Sequence, residues 1–305
     1  MTEHKADHQK VYYHLPGLFE FYEFYKLFLK LFREHREYFY EWCDIASIYG
    51  APADCIWGGG RVGFGDADPE DVEALMKEYD ISAGLCFSNS LLKEQHLSDR
   101  KCNRLCSLFE KNGNAGNAVI ISSDLLLEYI GKNYPGFCFV SSTTKVLTEF
   151  EELEKELNRP EFRYVVADFR LNKEFEKLEK LSDDHKAKLE FLCNECCRTG
   201  CYERKKCYEN VSRKSLGEDC EDHVCVSPDA SAGYRFSAAM ENPAFISTED
   251  ILNIYRPMGF SNFKIEGRSL GSAMILEILL YYMTKPECRL KVREEIYLDS
   301  SLDLF

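Results

Sequence analysis

Seven of the fourteen cysteines in this 305-residue chain fall between Cys193 and Cys225, in the run CNECCRTGCYERKKCYENVSRKSLGEDCEDHVC. Sulfur donors at this density suit zinc or an iron–sulfur cluster, because soft thiolates hold both. Cys197 and Cys201 form a C-x3-C pair; Cys220 and Cys225 form a C-x4-C pair after 18 intervening residues. Structural zinc favours C-x2-C pairs, whereas iron–sulfur sites accept wider spacing. A [4Fe–4S] cluster is therefore the leading expectation, with zinc or simply buried thiols as the alternatives. Cys196 and Cys207 are spare donors, and Cys55 is a more distant one.

A second set of residues stands where short apolar runs end. Asp168, Arg170, Glu195, Lys264, Glu266 and Arg268 are charged, and Asn89 is polar. Gathered at one mouth, they would bind a polar or anionic ligand, although charged pairs at such positions also serve structure. Other catalytic patterns fail on inspection. His4 and His8 lack the glutamate of a zinc-protease helix, and no Walker loop or C-x3-C-x2-C triad is present. GRSLG at 267–271 fits a nucleophile elbow, but no histidine follows His223, so Ser269 reads as a residue leading into a helix.

These residues need a scaffold. Strand-like runs at 44–48, 81–87, 118–121, 137–140, 164–167, 189–193, 244–246 and 263–265 alternate with stretches of helical periodicity such as PEDVEALMKEY and KVLTEFEELEKEL. Eight such units in about 250 residues predict a (β/α)8 TIM-like barrel, with a long cysteine-rich insertion after the sixth strand. The expected division is an N-terminal helical segment over 1–40 and a barrel over 41–305 that includes the cysteine-rich loop 193–242. GGGRVGFG, with Gly58, Gly60 and Gly63, matches a dinucleotide turn only formally and reads as a loop over the barrel mouth.

Composition narrows the partners. A net charge of -14 opposes broad binding to nucleic acid or anionic lipid, leaving RTGCYERKK at 198–206 as a candidate local basic patch. The first apolar stretch is broken by Glu20, Glu23, Lys26 and Lys30, so neither a signal peptide nor a membrane span is expected. A cytoplasmic setting follows, where thiols stay reduced and serve as ligands or core residues.

Two segments resemble the peptidase U32 (collagenase-like) family: LEFLCNECCRTGCYERKKCYENVS at 189–212 and GFSNFKIEGR at 259–268. The NExCxxxC pattern of Asn194, Glu195, Cys197 and Cys201, and the strand-ending KIEGR, carry the likeness. The resemblance implies a TIM-like barrel, and in several members a [4Fe–4S] cluster on four cysteines with oxygen-independent hydroxylation activity. Carried over, Cys197 and Cys201 match best, and Cys220 and Cys225 are chosen as the remaining pair, at a spacing that departs from the family's. The resemblance thus leads to an iron–sulfur redox or hydroxylation-type protein. Glu195, Glu266 and Asp168 are its acid–base candidates, and Arg170, Lys264, Arg268 and Asn89 would bind a small-molecule or peptide substrate. The alternatives are a U32-type peptidase and a zinc-stabilised, non-catalytic partner subunit.

Overall fold

In the computed structural model, residues 10–60, 67–111, 116–195, 197–227 and 233–302 are described. Eight parallel strands close on themselves in chain order. They are β1 (Val11–Pro16), β2 (Cys43–Gly50), β3 (Ser82–Phe87), β4 (Ala118–Ile121), β5 (Cys138–Ser141), β6 (Phe162–Val166), β7 (Leu189–Leu192) and β8 (Asn262–Lys264). The barrel closes where Tyr12, Tyr13 and His14 of β1 pair with Asn262, Phe263 and Lys264 of β8. Twelve α-helices of varied length accompany the strands among the described residues: α1 (Tyr22–Glu34), α2 (Pro69–Tyr79), α3 (Arg100–Lys111), α4 (Asp124–Asn133), α5 (Phe150–Leu157), α6 (Phe175–Leu178), α7 (Asp183–Lys188), α8 (Arg204–Ser215), α9 (Phe236–Met240), α10 (Thr248–Asp250), α11 (Ser272–Met283) and α12 (Arg289–Leu302). The expected (β/α)8 architecture is the one observed.

Two of the expected boundaries change. The first barrel strand lies at 11–16, inside the segment expected to be helical, so the division into 1–40 and 41–305 does not hold. VYYHLP hides its strand character because a histidine sits where a core residue should, directly before an aromatic-rich helix. The run at 244–246 is the second change. It is not a strand, because β7 pairs directly with β8, leaving it no place in the sheet. A backbone bond from Ile246 N to Cys193 O at 3.0 Å holds it beside the end of β7, and its carbonyls accept from Asn172 and Tyr282. The cysteine-rich insertion consequently follows the seventh strand rather than the sixth.

Local chemistry explains the helix boundaries. Asp68 caps α2 by accepting from Glu70 N, with Pro69 as the first helical residue, and Asp80 ends it in the left-handed conformation. Ser123 caps α4, and Ser247 with Asp250 forms a capping box on α10. Gly59 is required by contact: a Cβ there would stand 2.3 Å from Ser88 O, where the loop after β2 presses on the end of β3. Gly63 lies outside the described residues. Among the described residues no helix is long and apolar enough to cross a membrane.

Candidate active site

Side chains on a strand alternate between the two faces, so a polar residue in an apolar strand shows its direction by parity. Glu190 stands opposite Asn262, and Leu192 opposite Lys264, which places Glu190 and Lys264 two steps apart on adjacent strands with the same facing. Both are buried in the barrel interior, and Lys264 Nζ donates to Glu190 Oε1 at 2.8 Å. The same ammonium lies 3.6 Å from the centroid of the Tyr49 ring, a second favourable contact for a buried cation. His14, directly across from Lys264 on β1, places Nε2 4.0 Å from Glu190 Oε2, while its Nδ1 contacts Ser47 Oγ at 2.8 Å.

Burial pushes the His14 imidazole below its usual range, against the opposing pull of Glu190. Burial also works to raise Glu190, but neighbouring positive charge and the hydrogen bond from Lys264 hold its carboxyl below the ordinary value. The interior therefore holds the Lys264–Glu190 ion pair beside the His14 imidazole.

Lys264 is also part of the lining of a small cavity, about 80 Å³, at the C-terminal end of the strands. Its wall carries Glu266, Arg268 and Ser269 from the chain after β8, and Ser88, Ser142, Thr143 and Thr144 from the loops after β3 and β5. Arg268 is fixed by a 2.8 Å bond from Nε to Glu20 Oε1 and another of 2.8 Å from Nη2 to Ala51 O. Burial pushes Glu20 up despite this arginine. The backbone of Glu266 is clamped on both sides by the Asn194 amide, at 2.8 and 3.0 Å. Ser142 Oγ and Thr144 Oγ1 lie 2.9 Å apart, so the hydroxyls form a connected polar wall.

The remaining expected site residues hold the insertion in place. Arg204, at the start of α8, is fully buried and contacts Glu195 Oε2 at 2.5 Å and Asp168 Oδ2 at 3.7 Å. Its guanidinium lies between the rings of Phe169 and Tyr208, at 4.8 and 5.2 Å. Arg170 pairs with Asp168 at 2.8 Å and reaches the carbonyls of Thr199 and Cys201. Asn89 Nδ2 donates to Ser212 O on α8 at 3.0 Å and to Ile56 O at 2.9 Å. The structure thus brings Lys264, Glu266 and Arg268 together at the cavity, and engages Asp168, Arg170, Glu195 and Asn89 in anchoring the insertion that carries α8. The basic stretch at 198–206 is not wholly a solvated patch, because Arg204 points inward.

Cys197, Cys201, Cys220 and Cys225 do not gather into one centre. Cys197 packs against Phe169, Leu192 and Ala244, and its N–H donates to Glu195 Oε1 at 2.9 Å. Cys220 lies beside Asn210 Nδ2, and Cys225 is exposed. Among the described residues no three Cys, His, Asp or Glu side chains come together as a group able to hold a metal ion. As arranged, the four thiols do not fit a four-thiolate cluster or a tetrahedral zinc site. Cys196 lies outside the described residues.

Glu190, His14, Glu20 and Arg204 escaped sequence reasoning. For Glu190 and His14 a signal existed, a single ionisable residue inside an apolar strand. For Glu20 and Arg204 there was none, since both sit in segments rich in like residues.

No known family profile and no curated protein matches the sequence. A solved structure described as a U32 peptidase has a similar chain path, with a TM-score of 0.49 and 14% identity over 85% of this chain and 93% of that one.

Three outcomes are expected. Arg204→Ala leaves Glu195 buried without its counter-charge and should cost about 3–5 kcal/mol. Urea unfolding and limited proteolysis of 197–227 check this; unchanged midpoint and cleavage would exclude Arg204 as the anchor. Cys220→Ser and Cys225→Ser should shift stability by less than about 0.5 kcal/mol and leave iron and zinc content unaltered by elemental analysis; loss of bound metal in either would mean the loop closes around one. Finally, a folded His14 held below its ordinary value of 6.5 means the unfolded chain takes up the proton first as pH falls through that value. Stability from this group is present above pH 6.5 and is lost toward acid, with Glu190 adding a further loss as pH falls below its ordinary 4.5. Denaturation midpoints at pH 7.5 and 5.5 should therefore differ more in the native protein than in His14→Gln.

Proposed function

We propose that this chain is a U32-like barrel enzyme that holds the anionic end of a small substrate or short peptide in the C-terminal mouth and performs acid–base chemistry of the hydrolytic type there. The observation that carries this reading is the buried Lys264 ammonium, held by Glu190 at the cavity, with Glu266 and Arg268 on the same wall. Chemistry in (β/α)8 barrels takes place at this end of the strands. An ammonium fixed in a low-dielectric site attracts an anionic group far more strongly than one in water. Arg268 adds a second positive charge that Glu20 keeps from swinging away. Glu266 is the acid–base group, placed to take a proton from an attacking water and return it to the leaving group. The hydroxyls of Ser142, Thr143 and Thr144 donate and accept along the opposite wall, and Tyr208 of α8 closes the side. The cavity's size favours a small molecule or a single terminal residue. KIEGR, which carries the sequence resemblance, supplies Lys264, Glu266 and Arg268 themselves.

An iron–sulfur redox or hydroxylation activity is a second reading. It has in its favour that Cys197 sits next to Glu195 and Arg204, at the edge of the same mouth. A [4Fe–4S] cluster on Cys197, Cys201, Cys220 and Cys225 would need a different arrangement of the insertion, and no step is derived through it.

The test is a mixture of short peptides incubated with purified protein, with new termini followed by mass spectrometry. Cleavage is expected, and Glu266→Gln, nearly the same in shape, should lower kcat by about 10²-fold or more with the fold intact by circular dichroism. No cleavage by the native protein, or equal cleavage by Glu266→Gln, would sink the proposal.

A further inference from the structure

The N-terminal end of a (β/α)8 barrel is normally sealed by bulky branched side chains layered inside the strands. Here Ser47, Gly84 and Ala118, all small, stand beside Ile120 and Val140 in the lower interior, and a cavity of about 910 Å³ opens there. That volume lies within the range of pockets that enclose small organic ligands. The cavity reaches up to His14, Glu190 and Lys264, so the buried pair separates it from the mouth at the other end.

Its polar groups point to the class of ligand. Arg36 lies over the ring of Phe32 at 4.5 Å and Arg163 over that of Tyr164 at 5.4 Å, and both line the cavity. A guanidinium lying on a ring keeps its N–H edge available for an anion. Arg36 donates from Nη2 to Cys43 O, and Arg163 from Nη1 to Cys138 Sγ at 3.8 Å; among the described residues neither has a carboxylate partner. Arg33, also at the rim, is paired with Glu78, and Asp44 with Lys10. Of the other two acids of the lining, Asp80 is exposed and Glu190 is paired with Lys264. Two nitrogens in this region, Arg36 Nη1 and His14 Nε2, are buried without a hydrogen-bond partner among the described residues, and His14 is only 4% exposed. Leaving such groups unmatched is unfavourable, and a ligand carrying complementary atoms would remove that penalty.

We infer that the N-terminal end of the barrel is a second binding site, which takes a planar organic anion of about mononucleotide size. Arg36 and Arg163 neutralise its charge at the rim, Phe32 and Tyr164 contact its flat face, and His14 Nε2 makes a hydrogen bond from above. This site does not depend on the reaction proposed for the opposite mouth.

Titration of the full chain with 8-anilinonaphthalene-1-sulfonate, followed by fluorescence and then displaced by adenosine monophosphate, tests the inference. Saturable binding displaced by the nucleotide is expected. It should weaken at least tenfold in Arg163→Ala, whose exposed position spares the fold, and in Arg36→Lys, and stay unchanged in Glu266→Gln. Absence of binding, failure of the nucleotide to displace the dye, or equal binding by both arginine variants would overturn it. Loss in Glu266→Gln would also overturn it, by placing the ligand in the mouth instead.

Discussion

A lysine and a glutamate buried side by side inside a barrel are tenable only together. Either charge alone would carry a desolvation penalty of several kcal/mol, and even the pair does little better than well-packed apolar residues of the same volume. Stability therefore gives no reason to keep Lys264 and Glu190, and the reason is to be sought in what they face. Their positions two steps apart on neighbouring strands fix them at mid-height, with the Tyr49 ring against the ammonium. Everything above the pair is the hydroxyl-lined mouth, and everything below is the hollow lower interior. The sign and the shape of both ends follow from this one interaction.

The insertion after β7 depends on a second buried charge. Arg204 is pinned by Glu195 and Asp168 and held between two aromatic faces, which turns a polar, cysteine-laden loop into a fixed wall of the mouth. Asn89, at the end of β3, reaches α8 through the Ser212 carbonyl. Carboxylates at the C-terminal ends of barrel strands commonly take part in chemistry, yet Asp168 and Glu195 here bind a piece of the protein itself. Glu266, which lies on the cavity wall, is the exception.

Much of the scaffold was legible because seven strands carry compact β-branched or aromatic runs between helical stretches. The eighth, β1, was missed because its interior-facing His14 breaks the apolar pattern, and its place was given to the run at 244–246, which has the composition of a strand but no neighbour to pair with. Lys264, Glu266 and Arg268 were legible from position, since they follow an apolar run directly. Arg204 was not, because in RTGCYERKK nothing distinguishes the one arginine that turns inward from its solvated neighbours. Cysteine density suggested a gathered centre, but density along the chain does not determine distance in space, and among the described residues no such group forms.

The barrel is completed by its first and last strands, from Tyr12–Asn262 to His14–Lys264. During synthesis β1 leaves the ribosome with one edge bare and must wait for some 250 further residues before that edge is covered. Contacts of such sequence separation form slowly, and an uncovered strand edge is a template for wrong pairing in the meantime. VYYHLP, with its aromatics and its interior histidine, is therefore the segment on which misfolding during translation should concentrate. The proline that ends it, unable to donate to a neighbouring strand, limits how far a stray partner can zip along.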